Sequence, residues 1–156
     1  LSKDLNKDYP PTPKEVIKYY NEILRCLYNE ESTDEEIEAL GLKARELYDA
    51  DLLAANELGT NQMLLKSEVE NWKKTNRRYA NFNLAASTNV ELYEYNGYSC
   101  AKIMCGYIVS QDGHNYQTNQ IYVLRKDADK RWKILGWMGE EEAAARAELQ
   151  ERMGNN

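Results

Sequence analysis

The chain has 156 residues, 42% of them hydrophobic and 29% charged, which suits a single domain with a buried core and not a disordered segment. Its formal net charge of -6 argues against nucleic-acid binding, which relies on Lys and Arg to neutralise phosphates. No run of about 18 apolar residues is present to span a membrane, and the composition excludes collagen, coiled-coil rods and disulfide-dense mini-proteins.

The chain starts Leu1-Ser2-Lys3-Asp4, without Met. That start fits either an expression boundary or a removed export leader. Residues 1–12 read as an extended arm ending Tyr9-Pro10-Pro11-Thr12. Thr12-Pro13-Lys14-Glu15 is a helix start, with Thr12 as cap, Pro13 at the first helical position and Glu15 closing a capping box. Val16, Ile17, Tyr20, Ile23, Leu24, Leu27 and Tyr28 then form one apolar stripe, predicting a helix over 13–29. A second capping box, Thr33 to Glu36, opens a helix carrying Ile37, Leu40, Ala44, Leu47 and Tyr48. Asp51 to Asn56 extends the helical region, and Asn61 starts a third long helix with Leu64, Leu65, Val69 and Trp72.

After Tyr79 the apolar period falls to two. Val90 to Tyr95 ends at Asn96-Gly97, a hairpin-turn dipeptide. Strands follow over Tyr98 to Ser110, Asn115 to Lys126 and Arg131 to Met138, and Glu140 to Met153 reads as a terminal helix. Helices first and an antiparallel meander second is an α+β pattern. The layout is an arm (1–12), one domain (13–138) and a helical tail (139–156).

Pairing these strands by simple alternation sorts the sheet into two faces. One face carries Ala101, Ile103, Cys105, Tyr107 and Val109, with Tyr116, Thr118, Gln120, Tyr122 and Leu124, and then Lys133, Leu135 and Trp137. The other carries Met104, Ile108, Ile121, Val123, Trp132, Ile134 and Met138. Both faces are rich in large apolar groups, yet the helices can cover only one. The second face is expected to pair with another copy of the chain, because extended exposed apolar patches mark interaction surfaces; the alternative is that the C-terminal helix or the N-terminal arm folds back over it.

The helix-then-sheet order, and the closing hairpin Ile121 to Lys126 with Trp132 to Trp137, resemble the nuclear transport factor 2-like (NTF2-like) superfamily. Tyr9 to Val16 with Tyr19-Tyr20-Asn21, and Lys43 to Asp49 with Leu52 to Asn56, resemble a narrower family of small exported or lipid-anchored proteins from gut Clostridia-type bacteria. The resemblance spans about residues 9–138. It implies a cone-shaped fold and an extracytoplasmic address, with a lipid anchor upstream; if Leu1 directly followed the start Met, the address would be cytoplasmic. It transfers no catalytic residue, because the proposed inner sheet face lacks the Asp or Glu that steroid-isomerase-like members use as a base.

Several chemistries are excluded or weakened. His114 is the single histidine, so a two-His metal motif within one chain is impossible. It falls in a hairpin turn, where it is solvated and too far from Cys105 to activate it. No phosphate-cradling Gly motif and no C-x-x-C pair is present. The odd cysteine count, Cys26, Cys100 and Cys105, predicts reduced, mostly buried thiols. The acidic run from Glu30 to Glu38 suits a helix N-terminus, and Lys73, Lys74, Arg77 and Arg78 suit the end of the third long helix. Twelve Tyr and three Trp stand against a single Phe, and tyrosine suits pocket walls, with an apolar ring and a polar tip.

The reading is therefore a non-enzymatic exported binding domain, homodimeric, with a small amphipathic ligand in the cone. Tyr20, Cys105, Tyr107, Thr118, Gln120, Tyr122 and Trp137 are the expected pocket residues. No cofactor, metal or catalytic residue is assigned. The alternatives are an isomerase- or dehydratase-like enzyme using pocket tyrosines as acids, and a domain that serves only for assembly.

Overall fold

Local capping chemistry sets the helical half of the protein. The structure, a computed structural model, describes residues 3–154. Thr12 accepts a hydrogen bond from the Glu15 amide, and α1 (Pro13–Asn29) buries Val16, Ile17, Tyr20, Ile23, Leu27 and Tyr28. Before α2 (Asp34–Arg45) the capping box is complete: the Glu36 amide donates to Thr33 Oγ1 and the Thr33 amide to Glu36 Oε1, both at 3.2 Å. Asp49 caps the short α3 (Ala50–Ala55). The third long helix, α4 (Leu58–Lys74), begins at Leu58 and not at Asn61. Its cap is Glu57, whose carboxylate accepts from the Gly59 and Thr60 amides. Glutamate is not among the preferred caps, so the start carries no conventional sequence signal.

Asn76 at φ 53° ends the helix and turns the chain into β1 (Arg77–Leu84). Arg77 and Arg78 therefore open a strand and do not close α4. A short 3-10 turn at Ser87–Asn89 leads to β2 (Glu91–Tyr95), β3 (Tyr98–Gln111), β4 (His114–Lys126) and β5 (Trp132–Gly139), followed by α5 (Glu140–Gly154). Asn96-Gly97 and Asp112-Gly113 hold the hairpin turns at φ 50° and 80°. This left-handed pair matches strand twist and is cheap for Asn, Asp and Gly. The described strands pair antiparallel, in the order β1-β3-β4-β5. The long β3 takes β2 along its first half and β1 along its second. Helices followed by a curved, open antiparallel sheet make this an α+β protein.

Two bulges, one on each outer strand, re-aim side chains. On β1 the register slips between Tyr79 and Asn81, so Tyr79, Phe82 and Leu84 join Tyr107 and Cys105 on the inner face. On β5, Val123 faces Gly136 while Leu124 faces Ile134, leaving Leu135 as the extra residue. This bulge corrects the outer-face assignment of Trp132 and Ile134. Simple alternation puts both outside, but the inserted residue reverses the parity, and both are buried in the core at 9% and 0% exposure. Trp137 lies beyond the bulge and stays opposite Tyr122. Bulges increase local twist and bend the strand, which suits a sheet that wraps its helices.

The helices cover the inner face, where Ile103, Cys105, Tyr107, Val109, Tyr122 and Leu124 meet the buried stripe of α1. The arm joins this core through Leu5, and the Tyr9 hydroxyl donates to the Trp132 carbonyl at 2.6 Å. The segment before α3 covers the free edge of β5. The Ile134 amide donates to the Leu47 carbonyl and the Asp49 amide to the Ile134 carbonyl, both at 2.8 Å, in a parallel bridge centred on Tyr48. Outside, Met104 faces Ile121, which in turn faces Met138. Met104 is exposed, and Ile108, Ile121 and Val123 are half-buried. The Asn81–Asn83 and Gln117–Asn119 amide pairs line the polar remainder. Cys26, Cys100 and Cys105 are free thiols. No described helix is long and apolar enough to cross a membrane.

Candidate functional site

Between α1, α4 and the concave sheet lie two abutting cavities of about 270 and about 200 Å³. They share Tyr20, Leu24, Tyr28, Glu68 and Trp137. Gly41, Ala44, Tyr48, Leu52 and Leu65 close the larger one on the helical side. Tyr79, Tyr107, Thr118, Gln120 and Tyr122 wall the smaller one on the sheet side. Gly41 lets α2 approach α4, because a Cβ there would stand 2.7 Å from Gln62 Oε1.

Six of the expected pocket residues, Tyr20, Tyr107, Thr118, Gln120, Tyr122 and Trp137, line the smaller cavity together. Cys105 does not line it. Its thiol sits behind the wall, accepting from Asn21 Nδ2 at 3.5 Å and donating to the Gly106 carbonyl at 3.6 Å. His114 is exposed at its turn and lines neither cavity.

The wall has a hydrogen-bond polarity. Tyr107 donates to Asn21 Oδ1 at 2.7 Å, and the Tyr107 and Tyr122 hydroxyl oxygens are 2.5 Å apart. A hydroxyl has one proton, so Tyr122 must donate to Tyr107. The Tyr122 oxygen is left with acceptor capacity only. Asn21 is 5% exposed, so this relay is buried. Gln120 Oε1 is also buried and has no partner among the described residues. An unpaired buried acceptor is uncommon and calls for an explanation.

The aromatic rings form two rows. Tyr20 packs at 5.9 Å from both Tyr122 and Trp137, and Tyr48 at 5.9 Å from Trp137. Tyr79 bridges Tyr28 at 5.7 Å and Tyr107 at 5.4 Å. Burial pushes the hydroxyls of Tyr20, Tyr28, Tyr79, Tyr107 and Tyr122 well above the ordinary phenol value. The cause is desolvation, which disfavours the phenolate. The Glu68 carboxylate adds to the effect at Tyr28 and Tyr79.

Glu68 is the residue that strand reasoning misses. No inner strand position supplies a carboxylate, but α4 presents this one to both cavities. Among the described residues it is, apart from phenols, the only ionisable group lining either cavity. Helical spacing would have found it: Glu68 lies four residues after Leu64 and directly before the buried Val69. Tyr48, expected with Leu47 on the stripe of the second helix, lies past the end of α2 at Arg45 and enters from the strap bridged to β5. A larger groove of about 730 Å³ runs between α2 and α4, lined by Asp34, Glu38, Lys66, Glu70 and Lys73. Lys66 there is already paired with Glu38, so the groove offers little beyond a solvated charged surface. Among the described residues, no group of three His, Cys, Asp or Glu is placed to hold a metal ion.

Compared with curated proteins, the chain has no match. Residues 1–137 do match a family described as a domain of unknown function, DUF6715. That match takes in the arm, the cleft and every strand up to Trp137, and the chain belongs to this family.

Proposed function

We propose that the chain is a non-enzymatic binding domain of NTF2-like cone type that holds a small amphipathic molecule in the cleft between α1, α4 and the sheet. The single observation that carries this is the pair of abutting cavities, walled by aromatic rings and bearing a buried acceptor, Gln120 Oε1, with no protein partner. Apolar walls with a few convergent polar groups are what small-molecule sites use. The helix-then-sheet order and the resemblance of the closing hairpin support the cone assignment. The enzyme alternative uses pocket tyrosines as acids, but the Tyr107 and Tyr122 hydroxyl protons are already committed within the relay to Asn21, which works against that role.

The test is a ligand-observed NMR screen of the full chain against small amphipathic molecules. Binders are expected, and Leu24→Trp, which fills the wall common to both cavities, abolishes their signals while a thermal melt confirms that the variant folds. A chain that binds no member of the panel at millimolar concentration overturns the proposal.

The exposed and half-buried apolar row on the outer sheet face, Met104, Ile108, Ile121 and Val123, favours a second proposal: self-association through that face. Sedimentation at high concentration then gives twice the chain mass, and Met104→Lys with Val123→Lys returns it to one. The resemblance of the arm and of Lys43 to Asn56 supports an extracytoplasmic address. The gene's upstream codons test it: a charged-then-apolar leader ending in a lipobox Cys is expected, and Met directly before Leu1 refutes it.

A further inference from the structure

The cleft is chemically one-sided. Its charged group is an anion, Glu68, and among the described residues no Lys or Arg lines either cavity. The nearby cation Arg45 lines neither cavity, and its Nη1 donates to the Asn56 carbonyl at 2.7 Å and to Asn61 Oδ1 at 3.2 Å. Two of the polar atoms left over on the sheet wall are acceptors. Tyr122 has spent its proton on Tyr107, and Gln120 Oε1 has no donor. The rest of the wall mixes aliphatic side chains with the aromatic rings of Tyr20, Tyr28 and Trp137, and aromatic faces carry negative potential and attract cations.

We propose that the cleft binds a small organic ammonium ion, a protonated amine carrying a short apolar or aromatic arm. This rests on the ligand-binding reading above and names the ligand's class. Glu68 at the rim supplies the counter-charge. Tyr20, Tyr28 and Trp137, common to both cavities, supply the ring faces, and Gln120 Oε1 with the Tyr122 oxygen accepts the N–H groups. An ammonium donates up to three hydrogen bonds and accepts none, so it complements the Glu68 carboxylate together with these two acceptors. A carboxylate would meet Glu68 as a like charge and would leave Gln120 Oε1 unpaired. The -6 net charge of the chain favours the approach of a cation as well.

The test compares three probes of one shape on the full chain by calorimetry or NMR titration: phenethylammonium, the neutral 2-phenylethanol and the anionic phenylacetate. The ammonium is expected to bind about tenfold tighter than the alcohol, and phenylacetate weakest. In Glu68→Gln, the ammonium-to-alcohol affinity ratio falls toward one. Glu68 is exposed, so this variant folds, and a thermal melt checks it. Gln120→Met, which removes the unpaired acceptor, weakens the ammonium more than the alcohol. Equal affinities for ammonium and alcohol in the wild type, or tighter binding of phenylacetate, overturn the ammonium assignment and leave the cleft as a binding site. Binding of none of the three overturns the assignment together with the reading it rests on.

Discussion

Arg125 grips Asp49 through two hydrogen bonds, Nε to Oδ2 at 3.0 Å and an NH2 to Oδ1 at 2.6 Å, and so ties β4 to the cap of α3. Asp49 is 3% exposed, and the same Oδ1 accepts from the Asp51 amide at 2.9 Å. Arg125 also bonds Asp51 at 2.9 Å and lies 4.6 Å over the Tyr98 ring. The pair fixes the strap that carries Tyr48 into the cleft.

Removing one partner of a buried ion pair leaves the other charge desolvated. Arg125→Met is therefore expected to lower the unfolding free energy by about 3–5 kcal/mol, measured by urea denaturation. The double variant Arg125→Met with Asp49→Asn is expected to recover part of that loss. A single-variant cost below about 1 kcal/mol would show that the pair behaves as a surface bridge.

The relay of Tyr122 to Tyr107 to Asn21 predicts unequal tyrosine substitutions. Tyr107→Phe strands the buried Asn21 Oδ1 and is expected to cost about 1–3 kcal/mol. Tyr122→Phe leaves the Tyr107–Asn21 bond intact and costs about 1 kcal/mol or less. Denaturation midpoints of the two variants check the order, and a reversed order would mean that the proton runs the other way.

Alkali should unfold the protein cooperatively. Tyr20, Tyr28, Tyr79, Tyr107 and Tyr122 have raised pKa values when folded, against a reference of 10.0. A raised folded pKa contributes stability that is complete below the unfolded value and is lost as pH climbs through the folded one. Each such tyrosine steepens the fall by up to about 1.4 kcal/mol per pH unit above 10. Phenolate absorbance should thus rise together with the loss of circular dichroism. A smooth titration centred on 10 in the intact fold would contradict the burial of these hydroxyls.

Leu5 is 2% exposed and part of the core although it precedes the first helix. Leu5→Ala is expected to cost about 2–5 kcal/mol through lost burial and the cavity left behind. Thermal denaturation checks it, and an unchanged midpoint would show that the arm is dispensable.

Gly41 is buried where α2 meets α4, and an added Cβ would meet Gln62 Oε1 at 2.7 Å and Leu65 Cδ2 at 3.0 Å. Gly41→Val is expected to destabilise by about 1–3 kcal/mol as the helices are forced apart. It should also weaken any ligand of the larger cavity, which Gly41 lines. A neutral effect on both readouts would show that Gln62 simply swings away.

The elements themselves were legible in the residues, because caps, apolar period and turn dipeptides act over a few positions. Thr12 and Thr33 start their helices where expected, the two Asx-Gly turns set both hairpins, and the register from Tyr98 through Lys126 follows by counting. The grouping of Tyr20, Tyr107, Thr118, Gln120, Tyr122 and Trp137 follows from the same count plus one helix packed on that face. What counting could not supply was decided by contacts between distant segments. Leu135 bulges, sending Trp132 and Ile134 inward, only because the sheet must curve around its helices. Tyr48 reaches Trp137 only because residues 47–49 bridge the β5 edge. Glu68 becomes the cleft's charge only because α4 crosses above α1 and the sheet. Period and capping are properties of neighbouring residues, whereas sheet curvature and the meeting of helix and sheet come from burying one shared core.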